Sequence, residues 1–248
     1  MLKKLIILNL LLSLVIIWPC FAGAVTITFA TDSTWPPMEF VDSNQEIVGY
    51  SIDYMKAAGK EAGFTPVFKS VAWDGIFAGL ATGKYDAICS SVSITDERKK
   101  AMDFSVPYFK VRQALIVSKD STAKSLDDMK GKKVGSQIST TGTFAVKKIE
   151  AIISKTYDEV GLAVEDLYNG RIEGVVCDDP VAAQYVMANE KYKEALKIAV
   201  IVETGDVEYY GIAIKKGNTK VLNLINKGIN AVKAKGIDVE LQKKWIGQ

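Results

Sequence analysis

The chain has 248 residues, 48% hydrophobic and 24% charged, with 31 Lys and Arg against 29 Asp and Glu; these figures suit one or two globular domains and exclude a disordered or fibrous protein. A net charge of +2 leaves no surplus for neutralising phosphates, so no nucleic-acid partner is expected. Histidine is absent, which excludes Ser-His-Asp and Cys-His catalysis, His-ligated zinc and a histidine pH switch.

Residues 1–24 begin with Lys3 and Lys4, continue through an apolar run from Leu5 to Ile17 and end in Ala22-Gly23-Ala24. This is the pattern of a secretory signal peptide cut after Ala24, and the apolar run is too short to span a bilayer. A second reading makes Cys20 a lipid-bearing N-terminus, but Trp18 and Pro19 stand where such processing wants small residues. Cleavage removes two lysines and no acid, so the +2 belongs to the leader and the remaining chain is electrically balanced. Cys89 and Cys177, each in a short apolar run, read as buried small hydrophobes rather than a disulfide.

Beyond the leader, runs rich in Val, Ile and Tyr predict strands at 25–31, 86–92, 113–118, 132–137, 174–177, 196–202 and 209–215. Between them, Ile52, Met55 and Ala62 predict one helical stripe, and Phe144, Ile149, Ile152 and Ile153 another. Asp74 is placed as the N-cap of a helix stopped by Gly83, and Pro180 in the first turn of a helix preceded by Asp178 and Asp179. Val221, Leu222, Leu224, Ile225, Ile229 and Val232 form one broad face of a C-terminal helix. Alternating strands and helices predict an α/β protein with largely parallel sheets.

The stretch SITDERKKAMDFSVPY (93–108) resembles the periplasmic solute-binding proteins of polar amino-acid ABC transporters. The resemblance continues through 30–40, 47–57, 73–87, 139–143, 177–183 and 208–217, nearly the whole chain after the leader. It implies two α/β lobes joined by two crossing strands with a ligand cleft between them. Lobe 1 would comprise 25–110 and 209–248 and lobe 2 would comprise 113–206, with crossings near Phe109 to Arg112 and Val207 to Tyr210. It also implies a free L-amino acid as ligand, a membrane permease as partner, a periplasmic monomer, and no cofactor, metal or catalysis.

A water-excluding site must satisfy an amino acid's carboxylate and ammonium completely. Arg98, one of only three arginines, is the candidate for the carboxylate because its planar fork makes two parallel charged hydrogen bonds. Its alternative fate is a surface ion pair with Asp96, Glu97 or Asp103. Ser93 stands five residues earlier, and Thr141 and Gly142 precede a helix expected to start near Thr143, where unpaired amides attract anions; STTGT also reads as an ordinary helix cap. Asp178 is the candidate for the ammonium, with Ser90 and Ser91 as further acceptors and Asp179 as the helix cap, although either acid could serve as a plain cap. Trp35 and Trp73 match aromatic walls of the family and could equally be core residues, Trp35 the less so because Pro36 and Pro37 follow it. Asp32 matches a position lining the side-chain pocket, and with the three serines it points to a basic ligand resembling lysine, arginine or ornithine. Glutamine binding is the alternative within the family. A dehydratase acting on prephenate-like substrates is the alternative of another class, and a sensor module a third.

Overall fold

The computed structural model describes residues 25–205 and 207–247, so the leader, its cleavage site and Cys20 lie outside the described residues. The first sheet runs in the order Phe64–Ser70 (β5), Val25–Thr31 (β1), Ala87–Ile88 (β6), Ala213–Lys215 (β15) and Met102–Phe104 (β7). The second repeats the plan as Ile153–Tyr157 (β11), Lys133–Gln137 (β10), Gly174–Asp178 (β12), Gln113–Ser118 (β9) and Leu196–Val202 (β13). Phe109–Val111 (β8) and Glu208–Tyr210 (β14) pair antiparallel where the chain passes between the two sheets. A small sheet of Thr34–Trp35 (β2), Glu39–Val41 (β3) and Ile47–Val48 (β4) completes the strands.

The expectation of largely parallel sheets holds for β5-β1-β6 and β11-β10-β12 but fails at β15 and β9, each antiparallel to both neighbours. The reason is connectivity. A parallel neighbour needs a long crossover, usually a helix, whereas β9 and β15 arrive directly from the crossing strands β8 and β14. The result is a two-lobed α/β fold with a two-strand hinge.

Tyr50–Ala62 (α1) buries Ile52, Met55 and Ala62 as its stripe predicts. It packs against Thr219–Ala234 (α7), whose Ile225, Gly228, Ile229 and Val232 lie buried at helical spacing, while Val221, Leu222 and Leu224 are half-buried. Gly228 sits at the crossing, where a Cβ would come 2.6 Å from the Ala58 carbonyl oxygen. The remaining α-helices among the described residues are Ile76–Ala81 (α2), Asp96–Ala101 (α3), Thr141–Lys148 (α4), Val160–Tyr168 (α5), Asp179–Ala183 (α6) and Ile237–Trp245 (α8).

Local readings are corrected in several places. Asp74 caps nothing: α2 starts after Gly75, whose φ of 89° makes the turn without a side-chain cap. Phe144 and Ile153 do not share a helix, because α4 ends at Lys148, Phe144 is exposed and Ile153 opens β11. β-Branched Ile149, Ile152 and Ile153 favour extended backbone there. The 86–92 run is a strand only at Ala87–Ile88 and then turns through Ser91. The 209–215 run divides into β14 and β15. Among the strands not expected from the sequence, β5 and β11 are sheet edges with mostly unburied residues, and β5 carries Pro66, which an edge tolerates. Cys89 and Cys177 are buried free thiols in different lobes. No helix among the described residues is long and apolar enough to cross a membrane.

Candidate functional site

Asp32 follows β1, Ser90 follows β6, Gln137 ends β10 and Asp178 ends β12, so the carboxyl ends of parallel strands from both lobes face one another. That is the crevice where open α/β sheets bind ligands. They border one pocket, walled by Asp32, Trp35, Trp73, Ser90, Ser91, Ser93 and Arg98 from one lobe and by Gln137, Thr140, Thr141 and Asp178 from the other. Every residue singled out from the sequence is at this wall except Gly142. That glycine is buried in the first turn of α4, where a Cβ would meet Gln113 Oε1 at 2.9 Å and the Val176 oxygen at 3.0 Å, so it seats the helix rather than lining the cavity. The helix also begins two residues before the expected Thr143, with Thr140 as its N-cap accepting from the Thr143 amide.

Thr95 caps α3, accepting from the Arg98 amide at 3.2 Å, and this aims the Arg98 side chain inward. Arg98 Nη1 donates to the Ser93 oxygen at 2.9 Å and Nη2 to the Ser139 oxygen, across the cleft, at 3.2 Å. Its guanidinium lies 5.6 Å from the Trp73 ring centre and 5.2 Å from that of Phe77. The surface-pair alternative is overturned: Asp96 pairs with Lys99, Glu97 with Lys100 and Asp103 with Lys216. Burial lowers the Arg98 pKa to about 10, against the pull of Asp178 and Glu208, and leaves it charged at neutral pH.

Asp178 is 5% exposed. Gln113 Nε2 donates to its Oδ1 at 2.6 Å and the Tyr210 hydroxyl to its Oδ2. Burial pushes its pKa up to about 7, with the charge of Glu208 adding to the rise and the two hydrogen bonds opposing it. Asp179 is not a helix cap. Its carboxylate accepts from the Arg112 amide at 3.0 Å, from Nε at 3.1 Å and from Nη2 at 3.0 Å, tying the start of α6 to the outbound crossing. Asp178 occupies the cap position but makes no capping bond, which leaves it directed at the cavity wall.

On the far side, Asp32 Oδ1 accepts from Thr34 at 2.8 Å and Oδ2 accepts from Gln137 Nε2, across the cleft, also at 2.8 Å. Burial raises the Asp32 carboxyl above its ordinary range. Trp35 and Trp73 combine the two roles that the sequence left open, since each packs into a buried core cluster and also faces the cavity. Two wall loops carry left-handed backbone at non-glycine residues, Ser91 at φ 47° and Ser139 at φ 57°. Such strain persists only where surrounding contacts over-determine it. Here those contacts are the Ser91 hydroxyl on Glu39 and the Ser139 carbonyl on Arg98.

The sequence reading missed Gln137, Thr140, Gln113 and Glu39. Gln137 carried a usable signal, as a polar residue closing an apolar strand ahead of the STTGT turn. Glu39 carried none: it is wholly buried behind Ser91, which donates to it at 3.0 Å, and burial pushes its carboxyl well above the usual range. A raised native pKa means that the folded state retains a proton the unfolded chain loses, so this contribution to stability is full below about pH 4.5 and fades as pH rises toward the native value. Glu39→Gln is therefore expected to raise stability at pH 8 by about 1 kcal/mol or more, with the gain in Tm closing toward pH 5. Thermal melts at the two pH values check this.

The sequence profile of the bacterial extracellular solute-binding proteins, family 3, matches residues 27–248. A putative ABC transporter arginine-binding protein 2 of Escherichia coli K12 is 35% identical over 229 residues, 90% of this chain and 92% of that protein. The arginine-, lysine-, histidine-binding protein ArtJ of Geobacillus stearothermophilus superposes with a TM-score of 0.83 at 32% identity, over 90% of this chain and 96% of that one. An ancestral arginine-binding protein bound to arginine gives a TM-score of 0.82 at 40% identity, over 89% and 97% of the two chains, and an ancestral arginine-binding protein bound to glutamine gives 0.82 at 40% identity, over 90% and 98%. The chain belongs to the bacterial extracellular solute-binding proteins of family 3.

Proposed function

We propose that this protein is the exported substrate-binding component of an amino-acid ABC importer and that it captures an L-amino acid with a cationic side chain. The observation that carries the reading is charge balance: two carboxylates, Asp32 and Asp178, and one guanidinium, Arg98, face a single cavity. A basic amino acid offers the complement, one carboxylate and two cations. A neutral amino acid would leave an acid buried without a counter-charge, which is costly.

In this reading Arg98 takes the carboxylate, with Ser93 and Thr141 beside it, and Asp178 takes the ammonium, with Ser90 and Ser91 as further acceptors. Asp32 and Gln137 meet the distal cation, and Trp35 and Trp73 wall its aliphatic stem. Segments 25–110 with 209–248, and 113–206, move as two bodies about the crossings, because the full set of charges is met only when both lobes close on the ligand. The leader is cut after Ala24, and a monomer delivers its ligand to a permease in the membrane. No catalysis is assigned, since the buried acid best suited to proton transfer, Asp178, is held ionised by the ligand's ammonium.

The test uses protein recovered from the periplasm of cells expressing the full chain, with a mass beginning at Val25, titrated calorimetrically with the twenty amino acids and ornithine. One ligand per chain is expected, with arginine, lysine or ornithine at least about tenfold tighter than glutamine and a radius of gyration that falls on saturation. Binding restricted to neutral amino acids, or none at all, overturns the reading.

A further inference from the structure

The two passages between the lobes meet at one buried amide. Gln113, the residue that opens β9 after the outbound crossing, is fully buried, and its Nε2 lies 2.6 Å from Asp178 Oδ1, 3.1 Å from Thr141 Oγ1 and 3.2 Å from Glu208 Oε2. A primary amide has two protons, and here it faces three acceptors, two of them carboxylates. Glu208 opens β14 on the return crossing and also accepts from the Ser93 hydroxyl at 3.2 Å. It does not border the pocket that Asp32, Arg98 and Asp178 share. Instead it lines a neighbouring opening of the cleft with Thr141, Phe144 and Val207.

We infer that Glu208 is a specificity-determining acid of the ammonium subsite, a positioning residue that lends a second negative charge to Asp178 through the amide they share. The inference rests on the proposed binding of an amino acid whose ammonium sits at Asp178. Asp178 is buried and Glu208 half-buried, and two like charges held there by one donor favour a cation. A ligand carrying a hydroxyl in place of the ammonium brings the pair no cation beyond Arg98, which both acids already attract, so the pair sharpens the choice of amino acids over hydroxy acids.

The groups that face Asp178 are Glu208 and Tyr210 on β14, Arg98 on α3, Asp179 on α6, Glu39 on β3 and its neighbour Cys177. Only the ionised carboxylate pairs with an ammonium. With Asp178 near 7, affinity for L-arginine is expected to fall about tenfold from pH 8 to pH 6. Glu208→Gln removes the added charge. Asp178 then ionises more readily, and the fall moves to lower pH even though binding at pH 8 is weaker. A merely structural role for Glu208 would weaken binding equally at every pH.

The experiment titrates L-arginine and its α-hydroxy analogue into the wild type, Glu208→Gln and Glu208→Asp at pH 6, 7 and 8. The expected result is a variant-to-wild-type affinity ratio for Glu208→Gln that climbs several-fold as pH drops, together with a narrower preference for arginine over the hydroxy acid. Glu208→Asp, which keeps the charge, should retain the wild-type profile. A pH-independent ratio with unchanged preference, in a wild type that binds arginine, overturns this inference alone. A wild type that binds no basic amino acid overturns the proposed function and this inference with it.

Discussion

Arg98→Lys is expected to leave the fold intact and to weaken ligand binding by at least about 2 kcal/mol, roughly a thirtyfold rise in Kd. The guanidinium spends one proton on the Ser93 carbonyl and one on the Ser139 carbonyl, and the rest of its fork stays available to a carboxylate. Lysine offers a single point of charge. It can hold the two carbonyls or the ligand, and its compact ammonium does not reproduce the contact of a planar guanidinium with the Trp73 and Phe77 rings. Because Ser139 belongs to the opposite lobe, the substitution also removes a tie across the cleft. Calorimetry checks the affinity and circular dichroism the fold. Near-wild-type binding would mean that the carboxylate is anchored elsewhere.

Adjacent acids in the same turn are expected to respond in opposite ways. Asp178→Asn should cost about 3 kcal/mol of binding or more, because the ammonium loses a buried, charged partner, while native stability at neutral pH holds or rises once a costly buried carboxyl is neutralised. Asp179→Asn should change binding by less than about 1 kcal/mol, since its partner Arg112 is largely exposed and such pairs contribute little. What it loosens is the tie between α6 and the outbound crossing. Parallel titrations and melts of the two variants separate these effects, and the reverse order of binding losses would assign the ammonium to the wrong acid.

The family motifs made most of this arrangement legible in the sequence because they sit on turns at strand ends, where a polar residue interrupting an apolar run stands out. Arg98, Asp178 and the three serines were readable in that way. Edge strands β5 and β11 were not, since β5 buries only Phe64 fully and carries Pro66, and β11 has no fully buried residue. Capping was misassigned at Asp74 and Asp179 because an acid before a helix looks the same whether it bonds the helix amides, a distant arginine or nothing. Glu39, Gln113 and Glu208 were invisible for a deeper reason: their roles come from contacts tens of residues away, of Glu39 with Ser91, of Gln113 with Asp178 and of Glu208 with Gln113.

The repeated strand order of the two sheets also bears on how the chain assembles. Every strand of the second sheet lies within one uninterrupted stretch, from β9 to β13, so that lobe can complete its pairing before the C-terminus exists. The first sheet places β15 between β6 and β7, and α7 covers α1, so the lobe that begins the chain is closed by its end. Loop closure over so long a separation is slow. The wall that carries Asp32, the serines and Arg98 is therefore expected to gain its final support after the second sheet has formed.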